Sequence, residues 1–264
     1  MRQSKFLRYP KEFIRHPSLL LYPLAHPSRR QLIQKWTELE MRKPVMLEMR
    51  KLALAKAGQT FVLGRETYQY FYADYNITWC NERTVEIPII WRAVRENRDR
   101  KILEVGNVLS HYFPTSHLVV DKYERAPRVV NEDIVEFSPE EKFDLIVSIS
   151  TLEHIGWDEK PKDPAKILKA LERLKTMLAK GGKICLTLSW GWSPYLDRMI
   201  LERSLGLTTT LFMRRISFDN IWEECDIAQL QNAVYRHSYP DSYQDFPPYP
   251  HANAIVVGTI SDSR

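Results

Sequence analysis

The stretch that most constrains this chain is residues 101–109, KILEVGNVL, read together with Asp121. Ile102, Leu103 and Val105 form a short apolar run, and Glu104, Gly106 and Asn107 bring in polar and turn-forming residues where it ends. A buried parallel strand hands over to a ligand-binding loop in this way, because both of its faces are covered and polarity collects at the carboxyl end. A second apolar run, residues 117–120, ends in Asp121, fifteen residues after Gly106. A glycine at one strand tip lets the backbone approach a ligand closely, and an acid at the next can accept hydrogen bonds from two ribose hydroxyls. The pair predicts a nucleoside-containing ligand at the edge of a parallel sheet.

Beyond residue 101 apolar runs alternate with helical patterns, the sign of a parallel sheet covered on both faces. Strands are predicted over 101–106, 117–121, 129–131, 143–149 and 182–189. The clearest helix lies between the last two: Asp163 is its N-cap and Pro164 its N1 residue, Ile167, Leu168, Leu171, Leu174 and Leu178 line one face, and Gly181 and Gly182 end it. A helical stretch over 218–230 follows, then strands over 233–238 and 252–260 joined by a proline-rich loop. Those two strands are expected to pair as an antiparallel hairpin at the sheet edge.

Ahead of the sheet, residues 1–30 are punctuated by Pro10, Pro17, Pro23 and Pro27 and read as an irregular or briefly helical arm. Leu32, Ile33, Trp36 and Leu39 recur at helical spacing until Pro44, and a second amphipathic segment, 46–56, stops at Gly58. Residues 61–80 hold six Tyr, Phe and Trp between Tyr68 and Trp79, suited either to stacking on a ligand or to packing the extension on the core. Asn81 reads as the N-cap of a helix over 82–97 that contains Pro88. The chain divides into a basic, largely helical extension, 1–98, and a core, 99–264.

Charge matters here because it is local. Of 38 Lys and Arg and 33 Asp and Glu, residues 1–60 hold 13 and 4, leaving 25 and 29 for the rest. A basic arm of this kind can lie on nucleic acid, on an anionic membrane surface or in water, and nucleic acid is not favoured because no RNA-binding signature accompanies it. Cys80, Cys185 and Cys225 are odd in number and far apart, so neither a disulfide framework nor a metal site is expected, and a reduced, cytoplasmic setting fits best. The apolar stretch 19–24 is short and interrupted by Pro23, so neither a signal peptide nor a transmembrane segment is expected.

Five segments in register, ILEVG, VVDKY, NEDIVEF, FDLIVSISTLEHIG and LAKGGKICLTLSW, resemble the class I S-adenosylmethionine-dependent methyltransferases over residues 100–190. The resemblance implies a doubly wound, mostly parallel Rossmann-like α/β sheet, here with a C-terminal antiparallel hairpin and a helical N-terminal extension, and S-adenosylmethionine as cofactor. Carried over residue by residue, it implies that Glu104, Gly106 and Asn107 meet the methionine end, that Asp121 holds the ribose, and that Asp133 and the backbone and side chain of Ile134 receive the adenine. Ser150, after the fourth strand, joins this cofactor-side set. A dinucleotide is the nearest rival, and its pyrophosphate calls for three glycines and no neighbouring carboxylate. The loop here has one glycine, with Glu104 two residues before it.

The loop departs from the family pattern in that Val108 and Ser110 replace its second and third glycines. Val108 does not readily take positive φ, so the loop is expected to follow another path. Methyl transfer needs alignment first, and a general base where the acceptor is a hydroxyl or a protonated amine. His154 and Glu153 stand where the resemblance places acceptor-facing catalytic residues, although they serve equally as caps of the following turn; His111 is a weaker candidate. Trp190, Trp192 and Tyr195 either wall an apolar or sugar-like acceptor or belong to the core. The first reading is a methyltransferase acting at oxygen on a small-molecule or glycan-type acceptor. The others are a catalytically silent binding or scaffold protein, an RNA methyltransferase using the basic arm, and a dehydrogenase.

Overall fold

The computed structural model describes residues 29–237 and 245–261. The described chain enters through helices α1 (Arg29–Glu40) and α2 (Pro44–Leu54), the hairpin of β1 (Thr60–Leu63) and β2 (Glu66–Gln69), and helix α3 (Arg83–Glu96). The N-cap of α3 is Glu82, one residue later than predicted, yet Asn81 still accepts the Arg83 N–H at 3.0 Å. Pro88 lies inside α3 and cannot donate to the carbonyl four residues back. That carbonyl, on Thr84, is instead taken by the N–H of Phe71 at 3.0 Å, which ties the end of the hairpin to the helix.

Core strands β3 (Ile102–Val105), β4 (Leu118–Val120), β5 (Val129–Val130), β6 (Phe143–Ile149) and β7 (Leu178–Ser189) are parallel. With β8 (Thr209–Arg215), β9 (Trp222–Cys225) and β12 (Ala254–Ser261) they form one eight-stranded sheet, in the order β5-β4-β3-β6-β7-β12-β8-β9. Strand β12 runs antiparallel between β7 and β8. The short strands β10 (Tyr235–Arg236) and β11 (His251–Ala252) pair separately. The doubly wound α/β class is therefore as predicted, and the expected edge hairpin is corrected: the last strand lies inside the sheet, where both of its edges find partners.

Two helix predictions are also corrected. Helix α4 (Lys166–Thr176) is shorter at both ends; Leu178 already belongs to β7, and Gly181 and Gly182 lie within that strand. Over 218–230 the chain forms β9 and a short turn, Ile227–Leu230, and β8 was not anticipated at all. Residues 1–28 of the proline-punctuated arm and Ser238, the end of a predicted strand, lie outside the described residues.

Helix α4 and helix α5 (Pro194–Leu201) cover one face of the sheet, burying Ile167, Leu171, Leu174, Leu196 and Ile200 against Leu103, Val105, Ile146 and Leu186. The other face takes α3, whose Ile90 and Val94 pack on Ile102, Leu145, Val147 and Ile149. The strands alternate accordingly, odd and even positions serving opposite layers. The links β3–β4, β4–β5 and β5–β6 hold no α-helix, only short turns such as Leu109–His111. The extension thus stands in for crossover helices that the sequence pattern led one to expect. Buried Arg215 locks it on, donating to the carbonyl oxygens of Cys80, Pro250 and Phe218 at 2.8, 3.0 and 2.6 Å.

Candidate functional site

The carboxyl ends of β3, β4, β6 and β7 meet along one edge, and the sequence-predicted residues gather there. Gly106 has φ of +86°, and a methyl group added to it would run into the side chain of Thr151, just past β6. The glycine here fits the loop against its own sheet. Val108 keeps a right-handed backbone with φ of −110°, so the chain drops into the one-turn Leu109–His111 helix. Glu104 caps that turn: its Oε1 accepts the N–H groups of Val108 and Leu109 at 2.9 and 2.8 Å, and its Oε2 meets His117 Nε2 at 2.7 Å.

Asp121 faces the same loop. Its Oδ2 accepts the Asn107 N–H at 3.1 Å, and its Oδ1 accepts those of Tyr123 and Glu124 at 2.8 and 2.7 Å. Asn107 donates its side-chain amide to Glu124 at 2.9 Å, and His111 Nε2 lies 3.0 Å from the same carboxylate oxygen. Glu104 and Asp121 therefore stand together as predicted, with Asn107 crossing between them. His111 is held inside this network and stacks near Tyr75 at 4.7 Å, so it is corrected from acceptor-facing to structural. Glu124 was missed by the sequence reading, although its place three residues after Asp121 is what a capping acid would show.

The two adenine-side candidates have the following surroundings. Asp133 is gripped by the ammonium groups of Lys122 and Lys166, which also reach Glu159. Burial opposes its ionisation, but those two hydrogen bonds outweigh it and hold the carboxyl at about 2. The side chain of Ile134 is buried in one cluster with Phe137 and Val120.

Beyond β6, Ser150 has φ of +36°, a strained value for this residue. Its hydroxyl donates to Glu86 and sits 3.1 Å from that of Ser189. Glu86 also receives Arg83 Nη1 at 2.9 Å, and Glu82 accepts the Ala252 N–H at 3.2 Å. Ser150 is thus corrected from a cofactor contact to part of a buried polar cluster. Glu153 joins the cluster rather than the acceptor edge: it is 2% exposed, Oε1 accepts the Ser189 N–H at 2.9 Å, and Oε2 has no partner among the described residues. It does not cap the following turn, since its bond goes to the end of β7. Glu82, Arg83 and Glu86 were missed because charges in a helix's first turn ordinarily read as a solvated face.

Burial pushes the carboxyl of Glu153 above the ordinary carboxylate range, with nearby His154 acting against it. Between the unfolded value of 4.5 and the raised folded value, the native state binds more protons than the unfolded chain, so this group's contribution to stability is lost as pH rises through that window. Glu153→Gln removes the loss. We expect the melting temperature of the variant to overtake that of the parent progressively as pH rises above 4.5, read by differential scanning fluorimetry. A difference constant across that range would place the charge elsewhere.

His154 is the group that reaches the surface, 39% of its side chain being exposed. Its Nδ1 lies 2.5 Å from Asp158 Oδ2, four residues on, and its ring meets Trp192 edge-on at 4.6 Å between centroids. Trp192 in turn packs against Tyr235 and His237 at 4.7 and 5.0 Å. Its indole Nε1–H is buried without a partner among the described residues. Of the three aromatic candidates, Trp190 is core, Tyr195 packs against that core, and Trp192 faces the edge beside His154. Asp197, below this wall, accepts the Gly191 N–H and is pushed up by burial to about 6. Asp158, Tyr235 and His237 had no sequence signal beyond the four-residue spacing of His154 and Asp158.

The charge of the loop fits a cationic, phosphate-free nucleoside: Glu104, Asp121 and Glu124 crowd it, and the nearest lysines are spent on Asp133 and Glu159. A pyrophosphate would be repelled there. Ribose hydroxyls would share Asp121 with the N–H groups it already accepts. Among the described residues no group of three His, Cys, Asp or Glu is placed to hold a metal ion, and no helix is long and apolar enough to cross a membrane.

No known protein family and no curated protein matches the sequence. Among solved structures, the chain is similar to the N-methyltransferase NodS from Bradyrhizobium japonicum WM9, at 16% identity and a TM-score of 0.40, over 69% of this chain and 97% of that one. It is also similar to 1,6-didemethyltoxoflavin-N1-methyltransferase from Burkholderia thailandensis, at 14% identity and a TM-score of 0.38, over 68% and 79% of the two chains.

Proposed function

From a chain with the doubly wound fold of the class I S-adenosylmethionine-dependent methyltransferases, we propose that its activity is methyl transfer from S-adenosylmethionine to a hydroxyl of a small-molecule or glycan-type acceptor. The observation that carries this reading is the His154–Asp158 pair, set just past the carboxyl end of β6 beside the indole of Trp192. The cofactor, when bound, supplies an electrophilic methyl group. Asp121 would accept the ribose, and Glu104 would keep the loop seated while adding negative potential near the sulfonium. His154, with Nδ1 on Asp158, presents Nε2 to take the hydroxyl proton. The unsatisfied Trp192 N–H is a donor for a second acceptor oxygen, as a sugar would offer.

One observation favours a second reading, a silent scaffold: Glu104 and Asp121 already serve as acceptors for the loop's own N–H groups. Titration calorimetry with S-adenosylmethionine separates the two. We expect saturable binding that weakens at least tenfold in Asp121→Ala. Absence of heat at millimolar ligand would leave the scaffold reading standing. Of the thirteen Lys and Arg in residues 1–60 on which an RNA methyltransferase would depend, five lie outside the described residues.

A further inference from the structure

One cavity among the described residues lies away from this edge. A cleft of about 960 Å³ opens between α3, the strand-leading residues Lys101, Leu118 and Phe143, and the segment 113–117. Its floor is the amino end of β3, on the order of 15 Å along the strand from Gly106. The cause is the short β3–β4 link: with no crossover helix over this part of the sheet, α3 and the hairpin cover the face only in part. The volume is that of a small-molecule site.

Its lining is aromatic on one side and cationic on the other. Trp91 and Phe113 are stacked face to face, 4.1 Å apart at 4°, and Tyr68 also lines the cleft. Four arginines and one lysine line the cleft against two glutamates. Arg95 makes no ion pair among the described residues, while Arg100 reaches Asp144 only at 3.9 Å and Lys101 meets Glu141 at 3.0 Å, on side chains more than half exposed. Exposed pairs of this kind are worth about 0–1 kcal/mol and exchange readily for another anion. On the far side of the 113–117 segment a smaller cavity of about 190 Å³ continues to Arg128.

We propose that this cleft is a second binding site, separate from the carboxyl edge, which takes a nucleotide unit: its base against the outer side of the Trp91–Phe113 stack and its phosphate among Arg95, Arg100 and Lys101. Stacking on an aromatic platform next to mobile cations is how single-stranded nucleic acid and free nucleotides are both held. The inference does not depend on the methyltransferase reading, although His117 on the cleft lining also meets Glu104.

The test uses the full chain with excess S-adenosylhomocysteine present, so that the carboxyl edge is not the site being read. Uridine 5′-monophosphate, uridine and a labelled ten-residue oligouridylate are titrated by calorimetry and fluorescence anisotropy. We expect the phosphate to improve affinity at least tenfold over uridine, and binding of the charged probes to weaken with added salt. The paired charge reversals Arg95→Glu and Arg100→Glu should weaken them at least tenfold, leaving the melting temperature and S-adenosylhomocysteine binding unchanged. Oligouridylate outcompeting the mononucleotide would identify a strand as the source, and equal affinity a free nucleotide. The proposal fails if no probe binds at millimolar concentration, if uridine binds as well as its phosphate, or if the charge reversals leave affinity intact.

Discussion

Gly106→Ala should destabilise the chain by about 3 kcal/mol and lower its melting temperature by about 6–12 °C. Two separable terms produce this. At a φ of +86° an alanine pays for a left-handed backbone, about 1–2 kcal/mol. The added methyl also lands on the Thr151 side chain at the end of β6, and such overpacking costs about 1–3 kcal/mol. The double variant Gly106→Ala/Thr151→Gly distinguishes them: it should recover the steric term relative to Gly106→Ala and keep the backbone term. If the single variant unfolds in urea at the parent's midpoint, the loop does not take the path described, and the placement of Asn107 on Asp121 goes with it.

That experiment also marks what could and could not be read from the residues. The glycine after β3 was legible because an apolar run ending in a turn residue has few other meanings. Its neighbour was not: Thr151 is brought to Gly106 only by the pairing of β3 with β6, across more than forty residues of chain. The same holds at the far side of the sheet. Phe218, Trp222 and Leu230 are all buried and spaced like one helical face, yet Asn220 turns with φ of +66° and β9 pairs with β8, so the spacing comes from strand and turn. Gly181 and Gly182 look like a helix end, but β7 runs through them while its register on β6 shifts. The polar cluster of Glu82, Glu86 and Glu153 was invisible for a related reason: burial of a charged side chain is decided by what packs over it, and here that is the edge of β7 and the start of β11.

His154→Gln should lower the turnover of a hydroxyl acceptor by about 100- to 10,000-fold while leaving S-adenosylmethionine affinity unchanged. The size follows from what the imidazole is asked to do. A neutral hydroxyl is a poor nucleophile, and its proton must leave as the carbon–oxygen bond forms. Asp158, 2.5 Å from Nδ1, fixes the tautomer that keeps the proton on Nδ1 and the lone pair on Nε2, and the edge of Trp192 holds the ring in place. Asp158→Asn should therefore also reduce turnover, by less than loss of the imidazole, because its amide can favour the wrong tautomer without removing the base. A variant that keeps turnover within twofold would mean that the acceptor arrives with a lone pair already available, as a neutral amine does. The transfer would then be to nitrogen, with His154 and Asp158 reduced to a cap on the turn after β6.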